Sequence, residues 1–396
     1  MKKSIAIVGG GTAGMFCAAF LNPDLFDVRL YEKKARLGRK FLVAGDGGLN
    51  LSHGEDIAQM RKRYSPSGIL DKALLHFNNQ DFRNWLEEIG IPSFEGSSHR
   101  IFPARGIKPI DVLNAVKKHL EKRGVVFYYN MEFSNWDTEK NLVFNEKETV
   151  IADINIFSLG GASWKITGSD GQWSTIFSDN EIALSPFIAS NCAFEVDWQK
   201  EFIDKHEGTP LKNIAISIDG QEQKGEVVLS RFGLEGNAIY ALSEKIQIQL
   251  AAKKETTIRI DFKPSLSLEA VLKKIENSNL KTTKTLKQVL KLSAAQIAMI
   301  KDTLSKDAFL DSNQLANTIK KFPLRLIAAA TIDEAISTMG GVSLTAVDEH
   351  FQLFTMKNNY CIGEMLDWNA PTGGYLIQAC ASMGVYLASC LNEVYR

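Results

Sequence analysis

Apolar residues first gather in an unbroken run from Ser4 to Val8, the pattern of a parallel strand buried on both faces. A glycine cluster, Gly9 to Gly14, follows, and then a helix-compatible apolar stretch from Met15 to Leu21. A second strand-like run, Phe26 to Tyr31, ends at Glu32, and a third, Ala152 to Phe157, leads to Gly160 and Gly161. The stretch from Tyr375 to Leu391 is largely apolar but contains Gln378, Ser382, Gly384 and Ser389. It is shorter than a membrane span requires, and its pattern predicts a buried helix.

The middle of the chain follows a different rule. From about Phe187 to Phe262 short β-like runs alternate with turn signals. Asn213–Ile218 precedes Asp219 and Gly220, and Gly225–Leu229 follows, a spacing that predicts a hairpin. Residues 231–240 read as a glycine-rich link into a helix. From Ser267 to Lys321 the pattern turns helical and holds no proline. The strand, glycine and helix pattern therefore lies at both ends of the chain and the middle is an insertion. The expected divisions are 1–186, an inserted β domain over 187–264, a helical insertion over 265–325, a return strand over 326–345, and a closing part over 346–396.

Composition excludes several classes. With 396 residues, 45% of them hydrophobic and 23% charged, the chain is neither disordered nor a small disulfide scaffold. Lys+Arg and Asp+Glu both number 46, so no global charge argues for nucleic acid or an anionic membrane. The balance is uneven locally: Glu244 to Arg325 holds sixteen basic residues against eight acidic ones. This reads as a solvated lysine-rich face, with a patch for RNA or an anionic substrate as the alternative. Five scattered cysteines form no C-x-x-C pair and no zinc-ligand spacing, so no metal site is expected. Met1-Lys2-Lys3 before an apolar run resembles a signal peptide, but Gly9–Gly11 interrupts the run. The expectation is a cytoplasmic protein without a membrane segment.

The glycine cluster carries the chemistry. Gly9, Gly11 and Gly14 fit G-x-G-x-x-G, with Thr12 and Ala13 between the last two. Gly9 permits the tight turn, Gly11 lets backbone approach a pyrophosphate, and Gly14 lets helix pack closely on strand. The helix start then offers free N–H groups to the phosphates. Glu32, 18 residues past Gly14, stands where an acid bonds ribose hydroxyls, which disfavours a 2′-phosphate and leaves FAD or NAD. The glycine-rich excursion from Gly45 to Gly48 suits a loop wrapping an extended FAD. Near the C-terminus Gly363, Glu364 and Asp367 precede Gly373, Gly374 and Tyr375, placing more N–H donors before a helix.

Together these motifs resemble the bacterial flavoproteins of the YhiN/BaiN type, the aminoacetone-oxidase-family oxidoreductases, over essentially the whole chain. The resemblance rests on the first glycine cluster, Gly38-Arg39-Lys40 with Gly45–Asn50, and Arg100–Pro103. It rests also on Leu159–Trp164 with Thr167–Gly171, Thr338–Val342, Gly363–Asp367 and Gly373–Tyr375. It implies an α/β fold: a discontinuous Rossmann-type FAD-binding domain, glutathione-reductase-like, with an inserted β-barrel or sheet domain and a helical domain. It implies FAD held by the fingerprint glycines, Glu32 and Lys33, the Arg39–Asn50 loop with Lys40, Gly45 and Asn50, Gly160 and Gly161, and the Gly363–Tyr375 segment. The chain departs from most of that family at Gly45–Asn50, where the usual basic residue and cysteine are absent. It is closer to a branch with an AGxGGLN loop, and no role of that cysteine carries over.

FAD would supply the redox chemistry. No second G-x-G-x-x-G marks a dedicated NAD(P)H domain, so NAD(P)H is a candidate transient reductant acting at an exposed flavin face. The alternative is a small substrate that reduces the flavin itself. The expected function is an FAD-dependent oxidoreductase acting on a small organic substrate. The competing readings are an RNA-modifying flavoprotein that uses the basic helical segment and a non-catalytic FAD sensor. No catalytic residue is assigned. His53 and His99 are the histidines nearest the motifs, with Arg100, Trp164 and Tyr375 as possible pocket walls.

Overall fold

The computed structural model describes residues 1–43 and 48–396. It forms two compact units, Met1–Ala189 with Ile336–Arg396, and Ser190–Ala335.

The first unit is built on five parallel strands: β1 (Lys3–Val8), β2 (Phe26–Glu32), β3 (Val126–Tyr129), β4 (Ile154–Phe157) and β5 (Asn359–Cys361). Their order in the sheet is β5-β4-β1-β2-β3. Every residue of β4 is buried, as are Ile5 to Val8 of β1, which is why both read as unbroken apolar runs. The chain winds from β1 outward through β2 to β3 and then returns to the other side of β1 for β4. That reversal is a topological switch point, and the crevice beyond the carboxyl ends of β1 and β4 is where such sheets bind ligands.

Helix α1 (Thr12–Phe20) leaves β1, and α2 (Tyr375–Val394) packs along it. The packing requires a missing side chain. A Cβ at Gly384 of α2 would lie 2.5 Å from the Ala13 carbonyl and 2.7 Å from the Cys17 nitrogen. The polar residues of α2 are buried but satisfied. Ser52 donates to Gln378 at 2.5 Å, Gln378 donates to Ser382 at 3.0 Å, and Ser382 donates to the Phe77 carbonyl at 2.6 Å. They tie α2 to the segment before α1's aromatic neighbours Phe77, Phe82 and Trp85. Among the described residues no helix is long and apolar enough to cross a membrane.

The second unit holds seven strands, in the order Phe322–Leu326, Thr256–Asp261, Pro210–Ile218, Gln221–Leu229, Gly233–Glu235, Phe194–Glu195, Ala328–Ala329. Its two outer strands are separated in sequence by Ile327 alone, which spans only about 3.5 Å. The two ends of the sheet must therefore meet, and the sheet curls into a small barrel. The predicted hairpin is present, with Ile218 paired to Gln221 across Asp219 and Gly220. Helices follow at Leu268–Glu276, Ala294–Thr303 and Ser312–Lys320, opened by the caps Ser267, Ser293 and Asp311.

Replacing Gly384 with leucine should force α1 and α2 apart. The expected cost is about 1–3 kcal/mol, the usual range for overpacking, read as a lower thermal midpoint by circular dichroism. An unchanged midpoint would show that the helices can separate without loss.

Candidate functional site

The crevice is organised by the turn after β1. Gly9 has φ +107°, and a Cβ there would lie 2.4 Å from the Ser158 carbonyl at the end of β4. A Cβ at Gly14 would meet the Gly9 carbonyl at 2.3 Å and Ser158 Oγ at 2.5 Å. Ser158 donates from Oγ to the Gly9 carbonyl at 2.8 Å. The two outer fingerprint glycines thus let β1, β4 and α1 touch. Gly11 is different: a Cβ there would meet nothing within 4 Å. It borders open space at the start of α1, where Thr12 and Ala13 lie in the first turn and the amides lack intrahelical acceptors.

Glu32 closes the turn from β2. Its Oε2 accepts from the Gly10 amide at 2.9 Å and its Oε1 from the Lys34 amide at 2.8 Å. Burial raises its pKa above the ordinary carboxylate value, and those two amides oppose the rise. Each oxygen keeps a lone pair for a ribose hydroxyl. Lys33 turns elsewhere, donating to Asp170 at 2.8 Å. Arg39 is exposed.

A second node gathers residues from four distant segments. Lys40 donates to Ser163 Oγ at 2.8 Å and to Glu364 at 2.9 and 3.1 Å. The buried Glu364 also accepts from the Thr338 amide at 3.2 Å, and Thr338 Oγ1 accepts from the Ala162 amide at 3.1 Å. Asp367 accepts from the Gly340 amide at 3.0 Å. Gly363 fits against α1, where an added Cβ would lie 2.8 Å from that of Ala13. Gly160 accepts from the Trp173 indole at 3.0 Å, and a Cβ on Gly161 would lie within 3.1 Å of the Glu364 carboxyl. Glu364 and Lys40 hold this node together; both were singled out from the sequence, but as cofactor contacts rather than as partners of each other.

Gly373 and Gly374 lead into α2, and Tyr375 opens it with its ring buried. Tyr375 donates to Glu55 Oε1 at 2.6 Å, and Arg63 forms a two-pronged pair with the same carboxylate, its Nη2 at 2.9 Å. Partial burial would raise the Glu55 pKa, but these hydrogen bonds from Arg63 and Tyr375 hold it below the ordinary value. The His53 ring stacks on Tyr375, centroids 4.9 Å apart. His99 is exposed and paired to Glu95, and Trp164 is at the surface with φ +65°.

FAD suits these residues on two observations. Gly11 faces open space at a helix start, and Asn50 carries a buried Oδ1 with no hydrogen-bond partner among the described residues. Such an orphaned acceptor calls for a donor from a bound group. Gly45 lies outside the described residues. Ser163 and Thr338 lie in segments that carry the resemblance but have no role assigned from the sequence, and Ser158 and Glu55 are not singled out there. Ser158 had a signal, since it follows a predicted strand directly before Gly160 and Gly161. Glu55 had none, because its partners are 8 and 320 residues away. The cysteine thiols are passive: burial raises the pKa of all five, that of Cys192 to about 11 and that of Cys380 to about 12.

Known proteins resemble the chain over nearly its whole length. The family described as HI0933-like protein Rossmann domain matches residues 3–390. A ribosomal RNA dihydrouridine synthase of Haemophilus influenzae is 24% identical, the alignment covering 94% of each chain. A 3-dehydro-bile acid delta(4,6)-reductase of Clostridium scindens is 23% identical over 97% of each. Among solved structures, 3-ketosteroid delta1-dehydrogenase from Sterolibacterium denitrificans superposes with a TM-score of 0.50 at 11% identity. That match covers 99% of this chain and 100% of the other, and it shows a shared fold.

The open space at Gly11 separates its role from that of Gly14. Gly11→Val should leave the fold and thermal midpoint of the FAD-free protein intact while FAD is lost on desalting. Gly14→Val should disturb the fold itself. Stoichiometric FAD absorbance in purified Gly11→Val would remove the cofactor from this turn.

Proposed function

The chain belongs to the HI0933-like family and is an FAD-dependent oxidoreductase; from that premise we propose that it saturates a carbon–carbon double bond conjugated to a carbonyl, with NADH or NADPH as reductant. What carries the reading is the common reaction behind two different names among its relatives. Making dihydrouridine and reducing the conjugated double bonds of a 3-dehydro bile acid both add two hydrogens across an activated double bond. The net reaction places a hydride on the β-carbon and a proton on the α-carbon of the acceptor. NAD(P)H becomes NAD(P)⁺, and solvent supplies the proton. Bound FAD supplies the two-electron relay between donor and acceptor.

The protein's part is to hold and orient. Gly9, Gly11 and Gly14 bring the first amides of α1 to the pyrophosphate, and Glu32 takes the ribose. The Lys40–Glu364 node joins the segment after β2 to the Gly363 segment and, through Ser163, to the β4 turn. Asn50 offers its unpaired oxygen to a donor on the cofactor. We place the protein in the cytoplasm, in keeping with five free cysteines.

A second reading makes uridine in RNA the acceptor. Lys273, Lys274, Lys281, Lys284, Lys287 and Lys291 are all exposed, and none forms an ion pair among the described residues. Unneutralised lysines at this density favour a polyanion. The other reading takes a free small enone and leaves these lysines to solvent.

Anaerobic NADH or NADPH should bleach the flavin band, and adding an α,β-unsaturated ketone should restore it with formation of the saturated product. A band that resists both donors would overturn the pyridine-nucleotide step. For the second reading, changing Lys281, Lys284 and Lys287 to glutamine should lower the slope of log affinity for single-stranded RNA against log salt by about 2, at ~0.7 per phosphate contact. An unchanged slope would remove RNA from these helices.

A further inference from the structure

We propose that Arg100 and His53 form an oxyanion subsite that receives the carbonyl oxygen of the acceptor; the inference deepens the reductase reading and rests on it. Ser52–His53 pairs antiparallel with Arg100–Pro103, and His53 stands directly opposite Arg100 in that ladder. Directly opposed residues project from the same face, with Cβ atoms about 5 Å apart. The two side chains therefore share one small surface. That surface adjoins the glycines that open α2, since an added Cβ on Gly373 would lie 3.2 Å from Arg100 Nε.

The electrostatics leave Arg100 wanting a partner. The neighbouring carboxylates are already committed: Glu55 to Arg63 and Tyr375, and Glu95 to His99. Among the described residues no carboxylate pairs with the Arg100 guanidinium, which is half-buried. A half-buried cation without a counter-charge binds an oxygen that is negative or becomes so. His53 supplies the second donor. Its Nδ1 accepts from the Glu55 amide at 3.2 Å, so the neutral ring carries its proton on Nε2. Burial lowers the His53 pKa; the Glu55 charge opposes the fall and the charges of His99, Arg63 and Arg100 add to it, leaving the ring neutral near pH 7. Tyr375 stacks on the ring and is itself held by Glu55, so ring orientation is fixed from two sides. Asn79 anchors the same strand by donating to the His53 carbonyl at 2.7 Å.

A guanidinium and a neutral N–H converging on one oxygen suit an acceptor whose carbonyl gains charge as its β-carbon is reduced. They would hold that oxygen more tightly in its enolate form than as a ketone, which is the differential binding that lowers a barrier. Arg100 and His53 donate hydrogen bonds only, and no bond to either residue forms or breaks.

The test uses the FAD-loaded full chain and 4-hydroxybenzaldehyde as its phenolate, a stable stand-in for the enolate oxygen, followed by titration calorimetry. Native protein should bind it. Arg100→Met should weaken binding about 10- to 100-fold, the range for a lost charged hydrogen bond, while retaining stoichiometric FAD. Arg100→Lys should fall between, and it serves if Arg100→Met does not fold. His53→Gln should cost a few-fold, and Arg105→Met, at an exposed position, should change nothing. Absence of binding by native protein, or equal affinity in Arg100→Met, would overturn the subsite. So would loss of FAD from both Arg100 variants, which would assign the guanidinium to a cofactor phosphate. If the probe depends on Arg100 yet no enone reoxidises the flavin, the subsite stands and the reductase reading falls.

Discussion

The structure depends on one contact that only glycine permits, the meeting of β1, β4 and α1 at the switch point. Gly14 of α1 reaches the Gly9 carbonyl, and Ser158 at the end of β4 holds that carbonyl by a hydrogen bond. Any side chain at Gly14 would overlap backbone by more than a neighbouring side chain could relieve. The contact brings the start of α1 over the crevice and leaves its first amides free. It also sets where Gly11 stands, beside open space rather than against protein. The phosphate recognition proposed for this turn would therefore be a consequence of packing: the same closeness that builds the sheet-helix layer exposes the donors.

The remainder of the first unit is arranged to support that turn. α2 lies against α1 through Gly384, so the last residues of the chain close on the first. The Lys40–Glu364 pair performs the same task by charge. It joins the segment after β2 to the one after β5, with Ser163 Oγ accepting from the lysine and the Thr338 amide donating to the buried carboxylate. Removing either charge would strand the other in a half-buried site, a loss much larger than the pair's net contribution. The node thus works as a registration device between segments more than 300 residues apart.

Charge is distributed differently in the two units. In the first, around Tyr375, Glu55 is paired with Arg63 and Glu95 with His99, and Arg100, which pairs with no carboxylate among the described residues, is where we propose an incoming oxygen. In the second, lysines on the helices between Leu268 and Leu292 face solvent in excess of their carboxylate partners. A half-buried unmatched charge is costly and therefore informative, whereas an exposed one is screened within about 8–10 Å at ordinary salt. That contrast is why the Arg100 cluster supports a specific assignment and the lysines support only a class of partner.

Much of this was legible in the sequence. Ser4–Val8, Gly9–Gly14 and Phe26–Glu32 are local: strand, turn, helix and acid follow within about thirty residues, and backbone sterics dictate their order. The hairpin at Asp219-Gly220 and the prolineless helical stretch were local in the same sense. What tertiary structure decided is everything that depends on distance across the chain. Glu364 was visible as an acid after a glycine, but not as the partner of Lys40. Tyr375 was visible as the first residue of a helix, but not as a lock on Glu55 and His53. The barrel follows from two strands, separated only by Ile327, lying at opposite edges of one sheet, which no periodicity records. Local patterns arise from the geometry of neighbouring residues; the pairing of charges and the sharing of a pocket arise only when the folded chain brings remote residues within reach of each other's fields.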